Sequence, residues 1–456
     1  MASTIRTIVI FLAASVQAEV NKRSAILPSR ASVPAQAPCH TMSLQFALRF
    51  SYTAQIEEDL KRLSSPDSIC YLAGSSYISI ATTVEKANEL LDAEFLYYDV
   101  EGMKKLRTTR YSVPEELDQW VELVNPTTYF GFYEGDEIDF YAASEANLDA
   151  QFLDAIVKTL PLQKYITGGS SPFVPNIEVP DDASNTNEPY LEFYNYLLEK
   201  QNEEIPQVIS ILYDDDEESV PEEYAVRLCS MMGMRGVTLL HASGDLGIGA
   251  SCESNDGETG PIFMPQFPGT CPWATSVGGT QFSNPEVGWV AAGAGFSEYV
   301  PQPWHQKSDI SDVHTNFSAR GFPDITAHNL SPPYYYFSSG VMGYAGGTSA
   351  ATPVVGGLVV LLNDVRLRKG FPVMGFINPW LCANAGDALK DIQEGRVIGC
   401  EGTNYQSEGT VEGQIIPHAP WNSTEGCDPP SGLGIPSFAD MLKVAIKGLE
   451  NRTFET

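Results

Sequence analysis

The stretch "GGTSAATP", residues 346–353, places one serine, Ser349, between a Gly-Gly-Thr approach and an alanine-rich run. The apolar segment that follows, "VVGGLVVLLNDVRL", predicts a buried helix that tolerates Pro353 in its first turn. Ser349 would then lie at a helix N-terminus, where free N–H groups and the helix dipole stabilise negative charge on a substrate oxygen. The pattern indicates a nucleophilic serine, although a serine that caps an ordinary core helix has the same spacing.

A serine hydroxyl needs a base before it can attack a carbonyl group. The chain has six histidines and none is followed by glycine, so the His-Gly signature of subtilisin-type enzymes is absent. This argues against a Ser-His-Asp triad. An alternative base lies in "SEANLDAQF", where Glu145 and Asp149 are four residues apart and project from one face of a predicted helix.

Two neighbouring carboxyl groups repel each other, so the pKa of one of them rises. A carboxylate can act as a general base in an acidic medium, where a histidine would be fully protonated. A solvated acidic helix face has the same spacing as this pair. Asp245, at the end of "ASGD", is a third candidate: it can be a turn residue, a metal ligand or, when protonated, a hydrogen-bond donor to an oxyanion.

The segments around these residues predict alternating strands and helices. Buried-strand patterns at residues 207–213 and 236–243 flank a helix pattern at 221–233, and this βαβ unit indicates a parallel sheet. Sites in such sheets lie at the carboxyl ends of strands, where Asp245 is found. Other predicted elements are helices at 145–157, with Phe152 and Ile156 on one face, and 188–200, with Leu191, Tyr194 and Leu198 aligned.

The N-terminal part of the chain predicts a small, separate α+β unit. Residues 44–50 alternate like a strand, residues 55–63 are helix-like, and residues 84–99 form a helix that leads into a strand. With 456 residues, the chain is long enough for about two or three domains.

The net charge and the N-terminal segment indicate which partners and which cellular location to expect. The net charge of −31 makes nucleic acid an unlikely partner, and it suits either work at low pH or simple solubility. Arg6, the apolar residues 7–14 and the small-residue spacing at 16–18 predict a secretory signal peptide, residues 1–18. No later segment reaches the roughly 18 apolar residues of a membrane span. The expected location is extracellular, which fits eight cysteines and four sequons, at Asn316, Asn329, Asn422 and Asn451.

Seven motifs occur together, in one order, across residues 141–441. They are "EANLD", "ASGDLGIG", "FMPQFPGTCPWATSVGGT", "ARGFPDITA", "GGTSAATPVVGG", "GFINPWL" and "CDPPSGLGIPSF". In this combination the chain resembles the sedolisin family of serine-carboxyl peptidases, and in particular the secreted fungal tripeptidyl-peptidases. The resemblance implies an α/β fold with a subtilisin-like parallel sheet flanked by helices, preceded by a small α+β pro-domain, and peptide hydrolysis at acidic pH.

The resemblance also implies a role for each candidate residue. Ser349 matches the nucleophile, Glu145 its general base, and Asp149 the group that orients Glu145. Asp245 is similar to the family's aspartate in the oxyanion hole.

One structural Ca²⁺ ion is a further expectation from the family. Asp391 and Asp428 match its carboxylate ligands, and hard oxygen donors of this kind suit calcium. Backbone carbonyl ligands are expected from Ile392, Thr424 and Gly426. The family usually has glycine where this chain has Thr424, a change that does not affect a carbonyl ligand.

The implied disulfides come from the same resemblance. Cys252 and Cys400 match a family disulfide, and Cys229 with Cys271 is a second, weaker match. Two further cysteines, Cys382 and Cys427, stand where aromatic residues are usual and are expected to be unpaired.

The predicted organisation is a signal peptide (1–18), a shortened pro-domain (19–126) and a peptidase domain (127–456). Two parts are shorter than the family pattern: the pro-domain after "SPDSICYLAG", and the stretch between Phe130 and Glu145. Smaller departures are Leu246, where serine is usual, and "LYD" at residues 212–214, where Ser-Tyr-Gly is usual. Both flank the expected cleft.

These features predict a secreted, acid-acting peptidase that is made as a zymogen and releases tripeptides from free N-termini. The expected partners are peptide or protein substrates and the pro-domain, which acts as an intramolecular inhibitor; nucleic acid and membranes are not expected. The alternatives are an endopeptidase of the same family, a shortened non-catalytic relative, and a calcium-dependent binding module in which Ser349 has no catalytic part.

Overall fold

A computed structural model describes most of the chain, and its contacts divide the described residues into two units on either side of residue 130. The predicted signal peptide, the helix at 55–63, most of the helix at 221–233 and Cys229 lie outside the described residues. The described ranges are 21–24, 35–36, 41–48, 77–100, 103–113, 121–125, 140–158, 160–165, 167, 171–176, 179, 185, 187–198, 200, 204–225, 235–255, 261–306, 318–338, 341–403 and 412–446.

The first unit is a small α+β structure, as predicted. Its described elements are β1 (Asn21–Ser24), β2 (Ala35–Gln36), β3 (Thr41–Leu48), β4 (Tyr77–Thr83), helix α1 (Val84–Leu91), β5 (Leu96–Val100), β6 (Met103–Arg107), β7 (Arg110–Val113) and β8 (Val121–Asn125). Strand β3 pairs antiparallel with β4 on one side and with β8 on the other. The side-chain oxygen of Thr83 caps helix α1, and the buried Val84, Ala87 and Leu91 join Phe95 in the core.

The second unit holds every candidate catalytic residue. Its strands are β9 (Val208–Ile211), β10 (Asp215–Asp216), β11 (Thr238–Ala242), β12 (Gln266–Phe267), β13 (Thr275–Gln281), β14 (Val287–Gly288), β15 (Gly295–Pro301), β16 (Ala319–Phe322), β17 (Ile325–Leu330), β18 (Tyr334–Ser338), β19 (Val341–Ala345), β20 (Leu389–Lys390), β21 (Glu401–Thr403), β22 (Glu412–Ile415) and β23 (Ile435–Pro436). Its helices are α2 (Phe140–Val157), α3 (Tyr190–Leu198), α4 (Thr348–Arg368), α5 (Asn378–Ala388) and α6 (Phe438–Ala445).

A parallel sheet forms the centre of this unit, which confirms the predicted α/β class. Strands β9, β11, β13 and β17 pair in parallel in that order, and β14 adds an antiparallel edge to β13. Leu240, Val277 and Ile325 of the sheet share one buried core with Val355 and Val359 of helix α4. Burial of each such side chain contributes about 1.5–3 kcal/mol to folding.

Helix α4 is the core helix predicted after Ser349. Among the described residues it alone is long and apolar enough to cross a bilayer, but it packs against four strands of the parallel sheet and is largely buried. A helix that is apolar on all sides belongs in the interior of a protein of this size. The apolar composition of helix α4 is therefore explained by its position in the core.

Helices α2 and α4 pack closely because glycine lines their contact. A Cβ atom at Gly357 would lie 2.6 Å from Cγ2 of Ile156, closer than packed side chains allow. Helix α2 is also tied to the β18–β19 hairpin, where the Gln151 amide exchanges hydrogen bonds of 2.7 and 2.9 Å with the backbone of Phe337. That hairpin leads directly into residues 346–349, so these contacts fix α2 relative to Ser349.

Burial on helix α3 follows the predicted face, with Leu191 and Tyr194 buried and Leu198 partly buried. The sequons need a correction. Of the two described sequons, Asn422 is exposed but Asn329 is fully buried in β17, where a glycan has no room.

Candidate active site

Ser349 lies in the first turn of helix α4, as predicted. Gly347, the residue that precedes the helix, has a φ of +88°, a left-handed conformation that favours glycine. A Cβ atom at this position would also collide with the carboxyl group of Asp245. Gly347 therefore allows both the sharp entry into the helix and the close approach of Asp245.

Glu145 and Ser349 are in direct contact although 204 residues separate them in the sequence. The Ser349 hydroxyl donates a hydrogen bond of 2.5 Å to Oε1 of Glu145, and the Leu212 carbonyl oxygen lies 3.3 Å from the same hydroxyl. Burial raises the pKa of Glu145; the Ser349 hydrogen bond opposes that rise, and the nearby charge of Asp245 adds to it. The carboxylate is thus placed to take the hydroxyl proton.

Asp149 shares a helix face with Glu145 but is held by a different partner. Its Oδ1 accepts a hydrogen bond of 3.0 Å from the Ser210 hydroxyl on β9. Burial raises the pKa of Asp149 to about 7; the Ser210 hydrogen bond opposes this rise and the charge of Glu145 adds to it. Asp149 is therefore neutral at acidic pH and does not repel an ionised Glu145.

Asp245 follows β11 at the carboxyl edge of the sheet. Its Oδ1 accepts hydrogen bonds from the Thr348 N–H, at 2.8 Å, and from the Thr348 hydroxyl, at 2.9 Å. The residue borders a cleft and is open to solvent. The protein around its carboxyl group is nevertheless dense enough for desolvation to raise the pKa of Asp245, and the two Thr348 hydrogen bonds oppose this rise. With Oδ1 occupied, a proton on Oδ2 can serve a substrate oxygen.

An open cleft of about 260 Å³ joins these groups. Ser349, Glu145 and Asp245 line it together with a run of acidic residues between β9 and a 3₁₀ turn at Glu217–Ser219. The run contributes Asp214, Asp215 and Asp216. Among the described residues, no lysine or arginine lines the cleft, so its walls carry only negative or neutral groups.

The described histidines take no part in this arrangement. His241 is fully buried, and its Nε2 lies 2.9 Å from the Tyr194 hydroxyl oxygen. Desolvation lowers the pKa values of His241 and His305 to about 3. Neither forms a hydrogen bond with Ser349, which fits the absence of the His-Gly signature.

The two predicted calcium carboxylates lie close together in the C-terminal part of the unit. Burial, chiefly, and the charge of Asp391 raise the pKa of Asp428 to about 6. Asp428 Oδ2 accepts a hydrogen bond of 2.6 Å from the Thr424 N–H, and Asp391 Oδ2 accepts one of 3.1 Å from the Gly426 N–H. The Ile392 carbonyl lies 3.3 Å from the hydroxyl of Ser431.

One atom in this group is unsatisfied: Oδ1 of Asp391 is buried and has no hydrogen-bond partner. No third carboxylate, histidine or cysteine joins the pair within the part of the chain that the structure describes. A buried carboxylate oxygen without a donor is costly unless a cation binds it. Two carboxylates and neighbouring carbonyls are a donor set that fits Ca²⁺.

The cysteine predictions have mixed outcomes. A disulfide joins Cys252 and Cys400, as predicted. Cys271 is buried and takes part in no described disulfide; its predicted partner, Cys229, lies outside the described residues, so that pairing stays a prediction. Cys382 and Cys427 form no disulfide with each other, and Sγ of Cys382 lies 3.8 Å from Nδ1 of His305.

Three residues that position the site were not identified from the sequence. Ser210 binds Asp149, Thr348 binds Asp245, and Glu188 borders the site closely enough for the charge of Glu145 to raise its pKa, although burial is the main cause. For Ser210 the sequence did offer a signal, because this residue is in the carboxyl half of a parallel strand, where sites of this fold lie.

The sequence matches one family model and several known proteins. Residues 69–130 match the family model described as the Pro-kumamolisin activation domain. The chain is similar to the tripeptidyl-peptidase sed4 of Aspergillus fumigatus, with 38% identity over 481 aligned positions that cover 81% of each chain. It is also similar to the tripeptidyl-peptidase SED2 of Arthroderma otae, with 36% identity over 66% of this chain, and it spans about half (52%) of that relative's length.

A solved structure shares the fold. It is Pseudomonas sedolisin, a serine-carboxyl proteinase, in complex with two molecules of pseudo-iodotyrostatin. The TM-score is 0.50 at 20% sequence identity, and the match covers 71% of this chain and 82% of that one.

Proposed function

Because the chain belongs to the sedolisin family of serine-carboxyl peptidases, we propose that it is a secreted, acid-acting enzyme that releases tripeptides from free N-termini. The observation that carries this proposal is the 2.5 Å hydrogen bond from Ser349 to Glu145 at the edge of an open, acidic cleft. The names of its fungal relatives support tripeptide release, and the predicted signal peptide at residues 1–18 supports secretion.

The proposed reaction begins with proton transfer from Ser349 to Glu145. The serine oxygen bonds to the carbonyl carbon of the substrate, and the resulting oxyanion accepts a hydrogen bond from protonated Asp245. Protonated Glu145 then gives its proton to the leaving amine, and the peptide bond breaks. Water, activated by the same carboxylate, hydrolyses the acyl-enzyme and restores the serine hydroxyl.

The acid optimum follows from the protonation states that this reaction needs. Glu145 must be ionised to act as a base, whereas Asp245 must keep its proton to act as a donor. The pKa values of both are raised by burial, so Asp245 retains its proton further up the pH scale than a solvated aspartate does. Asp149 is the proposed positioning residue for Glu145: it shares the helix face and is held by Ser210.

The predicted pro-domain, residues 19–126, is proposed to inhibit the peptidase until acid removes it. The match to an activation domain supports this assignment.

The test of the proposed function uses the secreted full-length chain, acidified to about pH 4, near a normal carboxyl pKa. We expect loss of the N-terminal region and release of tripeptides from peptides with free N-termini but not from blocked ones, both seen by mass spectrometry. The Ser349→Ala chain is the control and should show neither. Cleavage of blocked peptides would favour an endopeptidase, and absence of Ser349-dependent cleavage would favour a non-catalytic relative.

We also propose that Asp391 and Asp428 hold one Ca²⁺ ion, with carbonyl oxygens of Ile392, Thr424 and Gly426. Bound calcium would neutralise the buried carboxylates and tie the Asp391 segment to the Asp428 loop.

Removal of calcium is expected to destabilise the protein. At a calcium concentration of about 100 times Kd, binding contributes about 2.7 kcal/mol, so chelation should lower the Tm by roughly 5–10 °C. The Asp391→Asn variant should lose this dependence, whereas Asp364→Asn, at a partly exposed residue that pairs with Arg368, should retain it. Identical Tm values with and without chelator would rule out the calcium site.

A further inference from the structure

The carboxyl group of Asp214 faces the cleft without a described partner. Asp214 lies two residues after Leu212, whose carbonyl oxygen is 3.3 Å from the Ser349 hydroxyl. Two residues span at most about 7 Å and the aspartate side chain adds about 3 Å, so this carboxyl group is within roughly 13 Å of the nucleophile. On the other side, a Cβ atom at Gly244 would lie 2.8 Å from Oδ2 of Asp214.

The two acidic residues that follow Asp214 differ from it, because each accepts hydrogen bonds. Asp215 Oδ2 accepts one from the Glu188 N–H at 3.3 Å. Asp216 accepts hydrogen bonds from the side-chain amides of Asn176, at 3.1 Å, and Gln266, at 2.6 Å. These two carboxyl groups therefore support the wall of the cleft, whereas Asp214 is left for a ligand.

The charged groups that act on Asp214 are all carboxyl groups. In the described part of the chain no hydrogen bond reaches Asp214, and the groups that shift its pKa after burial itself are Asp245, Asp215, Glu145 and Asp216. Asp214 is partly exposed at the wall of the cleft, and a desolvated carboxylate among like charges is unfavourable unless a cation neutralises it. A complementary ligand is a cationic donor that accepts no hydrogen bonds, and an ammonium group is one such donor.

We propose that Asp214 receives an ammonium group of the substrate, supplied either by its free N-terminus or by a lysine side chain close to the bond that is cleaved. This inference rests on the proposed peptidase function and names the feature of the substrate that the cleft selects. An extended tripeptide spans about 10 Å, so the α-ammonium group of a released tripeptide lies within this range of Ser349. Asp214 is a specificity-determining residue in this account.

The preference of the cleft for a cationic substrate should depend on pH. Burial and the neighbouring carboxyl groups raise the pKa of Asp214 well above its usual value, so it holds a proton in acid. A bound ammonium group favours the ionised form, so binding expels that proton. The preference for a cationic substrate over a neutral one therefore strengthens as the pH rises from acidic toward neutral.

Binding to the full-length Ser349→Ala chain tests the proposal independently of catalysis. The probes are Ala-Ala-Phe, its N-acetyl form, and N-acetyl tripeptides with lysine at each position, titrated by calorimetry at several acidic pH values. The cationic probes should bind roughly 10- to 100-fold more tightly than N-acetyl-Ala-Ala-Phe, as for a hydrogen bond to a charged group. Tight binding of the free-amine probe alone identifies the N-terminus, and tight binding of an acetylated lysine probe identifies the side chain.

The Asp214→Asn change is added to the Ser349→Ala chain. It should reduce the preference for cationic over neutral probes to within about threefold and remove the pH dependence of that preference. Affinity for N-acetyl-Ala-Ala-Phe should stay unchanged. The unchanged affinity shows that the variant is folded. Asp216→Asn is the matched control, because it removes a charge from the same wall at a residue already held by two amides, and it should keep most of the preference. A preference that survives Asp214→Asn, or no preference at all, overturns the proposal.

The peptidase function and the role of Asp214 in binding can fail independently of each other. If the chain with Ser349 intact hydrolyses no peptide but the Asp214-dependent preference is present, the peptidase reaction is wrong and the binding assignment holds. If peptides are hydrolysed with no preference for cationic ends, the binding assignment is wrong and the peptidase reaction holds.

Discussion

The Glu145→Gln variant is expected to hydrolyse peptides about 10²- to 10⁴-fold more slowly than the unchanged protein at acidic pH, because general base catalysis contributes a factor of this size. Glutamine has nearly the same shape as glutamate, and its amide oxygen can still accept the hydrogen bond from Ser349. It cannot take the proton, however. The loss should appear in kcat, with little change in KM, since Glu145 contacts the nucleophile rather than the far end of the cleft.

The pH profile adds a second readout for this variant. In the unchanged protein, kcat should rise with pH as Glu145 ionises, and fall at higher pH as Asp245 loses its proton. The rising limb should be absent from the residual activity of Glu145→Gln. Asp154→Asn, an exposed position on the same helix, is the matched control and should keep the full profile. Full activity in Glu145→Gln would remove this residue from the mechanism.

Raising the pH from about 4 to 7 is expected to destabilise the folded protein, with Glu217 as one main contributor. This side chain is 1% exposed and accepts hydrogen bonds of 2.7 Å from the Ser297 hydroxyl and from the Glu298 N–H. Desolvation, opposed by these hydrogen bonds, raises its pKa from 4.5 to about 7. The folded state therefore holds a proton that the unfolded state has already released.

Because only the folded state holds this proton, the free energy of unfolding falls as the pH rises. The stabilisation due to Glu217 is fully present below the unfolded pKa of about 4.3 and is lost as the pH rises through the folded pKa. A difference of roughly 2.7 pKa units corresponds to about 4 kcal/mol. Asp149, with a pKa raised to about 7, acts in the same direction.

Urea unfolding at pH 4, 5, 6 and 7 measures this effect. We expect the free energy of unfolding to fall across the series, and to fall less steeply in Glu217→Gln, which resembles the protonated side chain at every pH. Asp154→Asn should leave the slope unchanged because its side chain is exposed in the folded state too. A free energy of unfolding that is constant or rises toward pH 7 would contradict the account.

Local patterns predicted much of the fold and of the catalytic group. The buried helix after Ser349 and the i, i+4 spacing of Glu145 and Asp149 depend only on neighbours in sequence, and both are present in the structure. The parallel pairing of β9 with β11 followed from the predicted βαβ unit. The meeting of Glu145 with Ser349 was implied by the family resemblance rather than by either pattern alone.

Features that depend on tertiary packing were not predictable in this way. Ser210 reaches Asp149 across 61 residues, and nothing in the sequence around either residue indicates that contact. Asn329 lies in a sequon that looks accessible, but strand β17 buries it. The "LYD" departure was visible in the sequence, whereas the distinction between Asp214 and the satisfied Asp215 and Asp216 depends on amide donors from distant segments.

The most direct test of the central claim is to identify the covalent intermediate. An activated peptide ester would be mixed with the acidified full-length protein, the reaction quenched within milliseconds to seconds, and the digest examined by mass spectrometry. We expect an acyl group on the peptide that contains Ser349, and its absence or much slower appearance in Glu145→Gln. Rapid hydrolysis with no acylated Ser349, or with the acyl group on another residue, would contradict the central claim.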